Sequence, residues 1–160
     1  MDHTGRDDND RNYVVINGID VVGQTSATNA SYVEKITFVF FTAPTTSTPR
    51  IWLYVMNRTS STNIFTPNVI YQVPYSFITV NVIGAQTITL PNNALPIRQG
   101  QYVGVGFGNN GGSCYRVLNR DIYYVAPTTF STLPAMNYTS APGDGSAFSF
   151  VVRIIGSVSG

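Results

Sequence analysis

From Asn12 to the end of the chain, short runs of Val, Ile, Phe, Tyr and Thr alternate with clusters of Pro, Gly, Asn and Ser. Within the runs the apolar residues recur at every second position, the period of a β-strand, and no window carries a helical period. "YVEKITFVFF" sets Ile36, Phe38 and Phe40 on one face against Lys35 and Thr37 on the other. "IWLYVM", Ile51–Met56, is apolar on both faces and predicts a central strand covered on two sides. "NYVVINGIDVV" predicts two short strands about an Asn17-Gly18 turn. Further strands are expected in "VIYQV", "SFITVNVI", "QTITL", Gln101–Phe107, "YRVL", "DIYYV" and the closing "AFSFVVRII". In that last run Phe148, Phe150, Val152 and Ile154 share a face, opposite Ser149, Val151 and Arg153. About eight to ten strands in an all-β antiparallel sandwich, jelly-roll-like, is the expected fold. Its core is expected to hold Phe38, Phe40, Leu53, Val103, Val105, Phe107, Phe148, Phe150 and Val152.

One strand breaks the composition of the others. In "QYVGVGFG" Val103, Val105 and Phe107 share one face, while Tyr102, Gly104, Gly106 and Gly108 share the other. Glycine weakens a strand, so a row of it predicts that something comes close to that face. Three bodies fit: an aromatic of the same domain such as Trp52, Tyr123 or Tyr124, a second subunit, or a ligand. The following "GNNGGS" has no GK[ST] and no helix after it, so it is no phosphate-binding loop.

Composition narrows the classes. The chain has 160 residues, enough for one domain with a real core. Charged residues make up only 11%, about half the usual share. Solubility therefore rests on hydroxyls and amides, a habit of β-rich extracellular and virion-surface domains. Residues 1–11 gather Asp2, Asp7, Asp8 and Asp10 with Arg6 and Arg11 and read as a flexible acidic tail. Residues 12–160 read as a single β-sandwich domain. The bases of that body are scattered, which argues against nucleic acid. No stretch reaches the roughly 20 apolar residues of a membrane span, so no membrane insertion is expected. The acidic N-terminus is the reverse of a secretory signal; an extracellular, cell-surface or virion-surface location is expected with any such signal outside this sequence. The sequons at Asn29, Asn57 and Asn137 are about as many as this composition gives by chance.

"TITLPNNALPIRQGQYVGVGFG", Thr87–Gly108, resembles a recurrent passage of extracellular jelly-roll and lectin-like β-sandwich modules, in which a turn leads into a core strand. "AFSFVVRII" is similar to their closing strand. The resemblance covers about a third of the chain and is structural, so it carries over no functional residue. It implies a sandwich and a binding, adhesive or assembly role.

The chemistry available is narrow. His3, in the tail, is the only histidine, so the body offers no imidazole for a catalytic triad or a zinc site. Cys114 is the only cysteine, which rules out an internal disulfide; it reads as a small half-buried residue or as half of an intermolecular disulfide. Paired carboxylates would have to come from Asp20, Glu34, Asp121 and Asp144, which lie far apart in the chain. Asp144, in "APGDGS", is a turn residue rather than a calcium site. No enzyme, no cofactor and no metal is expected. The candidate ligand site is polar and aromatic: Asn109 and Asn110, with Tyr115, Arg116, Asn119, Arg120, Asp121, Tyr123 and Tyr124 from "CYRVLNRDIYY". Rings to stack on a sugar face and planar groups to bond its hydroxyls are all present. The expectation is a non-catalytic recognition module, lectin-like or adhesive, whose partner is a glycan or a protein surface. The alternative is a structural jelly roll of a capsid, fibre or matrix that self-associates as a homo-oligomer.

Overall fold

The computed structural model describes residues 13–17, 31–118, 121–141 and 144–154. The expected tail with His3, the strand expected after Gly18, and Asn29 lie outside these residues.

The strands in chain order are β1 (Tyr13–Asn17), β2 (Ser31–Thr42), β3 (Ile51–Arg58), β4 (Ile64–Gln72), β5 (Gly84–Thr89), β6 (Tyr102–Phe107), β7 (Ser113–Cys114), β8 (Arg116–Leu118), β9 (Ile122–Val125), β10 (Met136–Asn137), β11 (Thr139–Ala141), β12 (Asp144–Ser146) and β13 (Phe148–Ile154). The described residues thus hold thirteen strands, above the eight to ten expected, because five of them are only two or three residues long. Every pairing is antiparallel. A seven-stranded sheet runs β10-β4-β3-β6-β1-β9-β11, a second runs β13-β2-β5 with β7 added to β2, and β8 pairs with β12. Among the described strands only β3 and β4 pair as sequence neighbours, so the chain passes repeatedly between sheets, as in a β-sandwich. No helix among the described residues is long and apolar enough to cross a membrane.

The large sheet nearly closes on itself. β10 pairs with β4 at one edge and β11 pairs with β9 at the other, yet only Tyr138 stands between β10 and β11. The stretch Met136–Ala141 therefore bridges both edges, leaving little unpaired backbone there. Closure gives this sheet two buried faces and the protein two cores. The first lies between the sheets: Val15, Ile36, Phe38, Phe40, Ile51, Leu53, Val55, Val103, Val105, Phe107 and Phe148. The second fills the concave side of the closed sheet with Val14, Ile16, Tyr54, Met56, Phe65, Tyr102, Leu133 and Tyr138. β1 and β3 supply alternate residues to each core, which is why both are apolar on both faces.

The glycine row of β6 faces the concave core. Gly106 lies between Trp52 of β3 and Val14 of β1, and Gly104 between Tyr54 and Ile16. A β-carbon at Gly106 would stand 2.8 Å from the Phe130 ring and 3.0 Å from Tyr54. At Gly104 it would meet Ile16 at 3.3 Å and Met56 at 3.5 Å, a milder crowding. The body that approaches is thus internal. It is not Tyr123 or Tyr124, and Trp52 only flanks Gly106 in the sheet; the close ring is Phe130.

Two expectations about strands are corrected. "SFITVNVI" forms no strand: Tyr75–Phe77 is a 3-10 turn and Asn81 has a positive φ of 61°. The Gln86 side chain takes the strand partner's place, accepting from the Thr79 N–H at 2.9 Å and donating to the Thr79 carbonyl at 2.7 Å. Conversely, β4 starts at Ile64, ahead of the expected Val69, because Pro67 sits at a register shift where a missing donor is tolerated. Of the expected core, Phe150 and Val152 are only half-buried, packed on its margin, since β13 is an edge strand.

Overpacking a filled contact costs about 1–3 kcal/mol, so Gly106→Ala is expected to destabilise by that amount. Gly104→Ala is expected to be near neutral, since a lesser clash is offset by reduced freedom of the unfolded chain. Urea unfolding of the two variants checks this; equal midpoints would contradict it.

Candidate functional site

The mouth of the closed sheet beside Gly106 is framed by backbone hydrogen bonds. The Arg50 N–H donates to the Asn109 carbonyl at 3.0 Å, and the Gly108 N–H to the Arg50 carbonyl at 2.8 Å. The turn after β6 folds back through Gly111 N–H to the Gly108 carbonyl at 3.0 Å, and Asn110 accepts from the Thr45 N–H at 2.9 Å. Asn110 and Gly112 have φ of 62° and 75°, which the Asn/Gly composition of this turn accommodates. Arg50 and Asn109 are therefore held side by side with both side chains exposed.

The facing wall comes from the segment between β9 and β10. The Tyr54 hydroxyl donates to the Phe130 carbonyl at 2.9 Å, tying this segment to the core of β3. Phe130 and Trp52, both half-buried, provide the apolar part of the cleft. Arg50, Asn109, Thr128, Thr129 and Ser131 provide an exposed polar part. The cleft is open and has a volume of about 270 Å³, just below the usual range for small-molecule sites and enough for no more than about one ring. Among the described residues, Arg50 is the only charged one lining it, and no acid, histidine or cysteine does so.

The opposite mouth is filled by side chains. Phe65 sits 5.3 Å from Tyr102, 5.1 Å from Tyr123 and 5.2 Å from Tyr138, ring centre to ring centre. The Arg58 guanidinium lies 5.0 Å from the Tyr123 ring and donates through Nε to the Thr62 carbonyl at 2.7 Å.

The residues expected to form one ligand site are distributed over several places. Asn109 lines the cleft, while Asn110 turns its side chain to Thr45, at 3.3 Å. Tyr115 packs edge-on against Phe41 at 5.2 Å. Arg116 is on β8, opposite Ser146. Asp121 is exposed just before β9. Tyr123 belongs to the aromatic cluster with Phe65, and Tyr124 lies on the other face of β9, edge-on to Tyr13 at 6.3 Å. Adjacent strand residues point to opposite faces, so these two tyrosines cannot share one site. Asn119 and Arg120 lie outside the described residues. Sequence reading missed Arg50 and the Thr128–Ser131 wall. The available signal was a lone aromatic within "PTTFST", a hydroxyl-rich loop. No group of three or more His, Cys, Asp or Glu among the described residues could hold a metal ion. No protein-family model matches this chain, and no curated protein or solved structure matches it.

Cys114, with 1% exposure, lies within the core between the sheets and cannot reach a partner chain without local opening. Burial pushes its thiol up from 9.0 to about 12, against the lowering effect of hydrogen bonds from Val39 and Ser146. Burial likewise raises the Tyr54 and Tyr138 hydroxyls. In each case the folded state holds the proton more tightly than the unfolded chain does. Their stabilising contribution is thus complete below pH about 9 and is lost progressively as pH rises toward 12. Equilibrium unfolding across this range is expected to show the loss, with a later onset in Cys114→Ala. An onset unchanged by that substitution, or rapid thiol modification of the folded protein at neutral pH, would contradict the assignment.

Proposed function

We propose that this protein is a non-catalytic recognition module that binds carbohydrate in the cleft between Arg50–Asn109 and Thr128–Ser131. The observation that carries this reading is the pairing of a half-buried Trp52 and Phe130 with an exposed amide, a guanidinium and hydroxyls in one ring-sized cleft. Aromatic rings pack against the C–H face of a pyranose, and planar polar groups bond its hydroxyls around the rim. Backbone bonds hold the Arg50–Asn109 wall and the Tyr54 hydroxyl holds the Phe130 wall before a ligand arrives, which reduces the ordering cost of binding. The described lining residues include hydroxyls but no base to activate them, and the reading is recognition rather than turnover. Such a role fits an extracellular or virion-surface setting.

One observation favours self-association as a second reading. Val82 and Ile83 are 45% and 61% exposed just before β5, and Val151 on β13 is 54% exposed. These residues lie on or beside the small sheet rather than at the cleft. A capsid, fibre or matrix subunit would bury them between copies.

Trp52 is the only tryptophan, so its emission reports directly on the cleft. On glycan screening followed by titration, a bound saccharide is expected to shift that emission. Asn109→Ala, on the exposed rim, should weaken binding at least about tenfold, or about 1.4 kcal/mol, with an unchanged thermal midpoint. Absence of any saccharide signal, together with a stable oligomer dissolved by Ile83→Asp or Val151→Asp, would replace this reading with the second.

A further inference from the structure

We infer that the saccharide bound in this cleft is acidic, its carboxylate engaging the Arg50 guanidinium; this rests on the carbohydrate reading above. Arg50 is exposed at the rim, and its side chain makes no ion pair or hydrogen bond with any other described residue. No acid among the described residues lines the cleft to neutralise it. Among the other described cations, Arg58 is tied to Thr62, Asn63 and two rings and Arg153 lies 3.7 Å from Glu34, while the exposed Lys35 and Arg98 do not line the cleft. Arg50 is instead a cation whose backbone is fixed on both sides while its side chain stays available.

Guanidinium presents a planar fork of donors that matches a carboxylate, and the charge-assisted pair exceeds a neutral hydrogen bond in strength. A uronic-acid or similar carboxylated pyranose can place its ring against Trp52 and Phe130 while its acid group reaches the rim. Asn109, beside Arg50, supplies both a donor and an acceptor for a neighbouring hydroxyl. Because the cation is exposed, salt screens the attraction and the preference for acid should fall as ionic strength rises.

The test titrates the full chain with a glucuronate-containing disaccharide, its methyl ester and the matched neutral glucose disaccharide, reading Trp52 emission at low and high salt. The acid form is expected to bind at least tenfold more tightly than the other two at low salt, with the gap narrowing at high salt. Arg50→Gln is expected to bring the acid-to-neutral ratio to about one, with an unchanged thermal midpoint showing that the fold is kept. Equal binding of all three ligands, or a ratio unaffected by Arg50→Gln, overturns the acidic assignment and leaves the carbohydrate reading standing. Failure of every saccharide to bind overturns both.

Discussion

Phe130 occupies the space that a β-carbon on residue 106 would need, with its ring 2.8 Å from that position and Tyr54 at 3.0 Å. The concave side of the closed sheet is filled through this contact. A sheet that curls far enough for Met136–Ala141 to touch both of its edges leaves a narrow interior. Side chains on every strand would crowd that interior, and interiors tolerate neither voids nor overlap. β6 resolves the crowding by contributing glycines on its concave face and large apolar residues on its other face. Its neighbours then fill the volume from both sides, and Phe130 closes it at one mouth.

The cleft follows from the same contact. Seating Phe130 over Gly106 brings Thr128–Ser131 opposite Arg50 and Asn109, and the Tyr54 hydroxyl fixes the Phe130 carbonyl at 2.9 Å. One side chain therefore belongs both to the inner core and to the wall of the candidate site. At the far mouth, Phe65, three tyrosines and Arg58 close the interior, which leaves the two ends chemically unlike.

Much of the fold was legible because alternation within a strand is a local signal. The faces of β2, the two-sided burial of β3 and the division of β6 into a valine face and a glycine face all follow from period two. Where side chains replace backbone partners the signal fails: Gln86 holds Thr79 where a strand was expected. Bridging of the sheet by a stretch as short as Met136–Ala141 leaves no mark in composition either. The site was less legible than the fold. A cluster in sequence became a cluster in space only at Asn109, because β9 sends Tyr123 and Tyr124 to opposite faces. The glycine row announced a close neighbour, but the neighbour lies on the loop after β9, three strands beyond β6 in the chain. Pairing Phe130 with Gly106 requires the three-dimensional closure that sequence spacing does not encode.

The central claim is that Gly106 and Phe130 form one packing unit on which both the inner core and the cleft rest. A double-mutant cycle between Gly106→Ala and Phe130→Ala, read by equilibrium unfolding, measures it most directly. Removing the ring makes room for the added methyl, so the double variant should be more stable than the two single losses added together, by about 1 kcal/mol or more. Additive losses within about 0.3 kcal/mol would show that the two residues are energetically independent and would contradict the account.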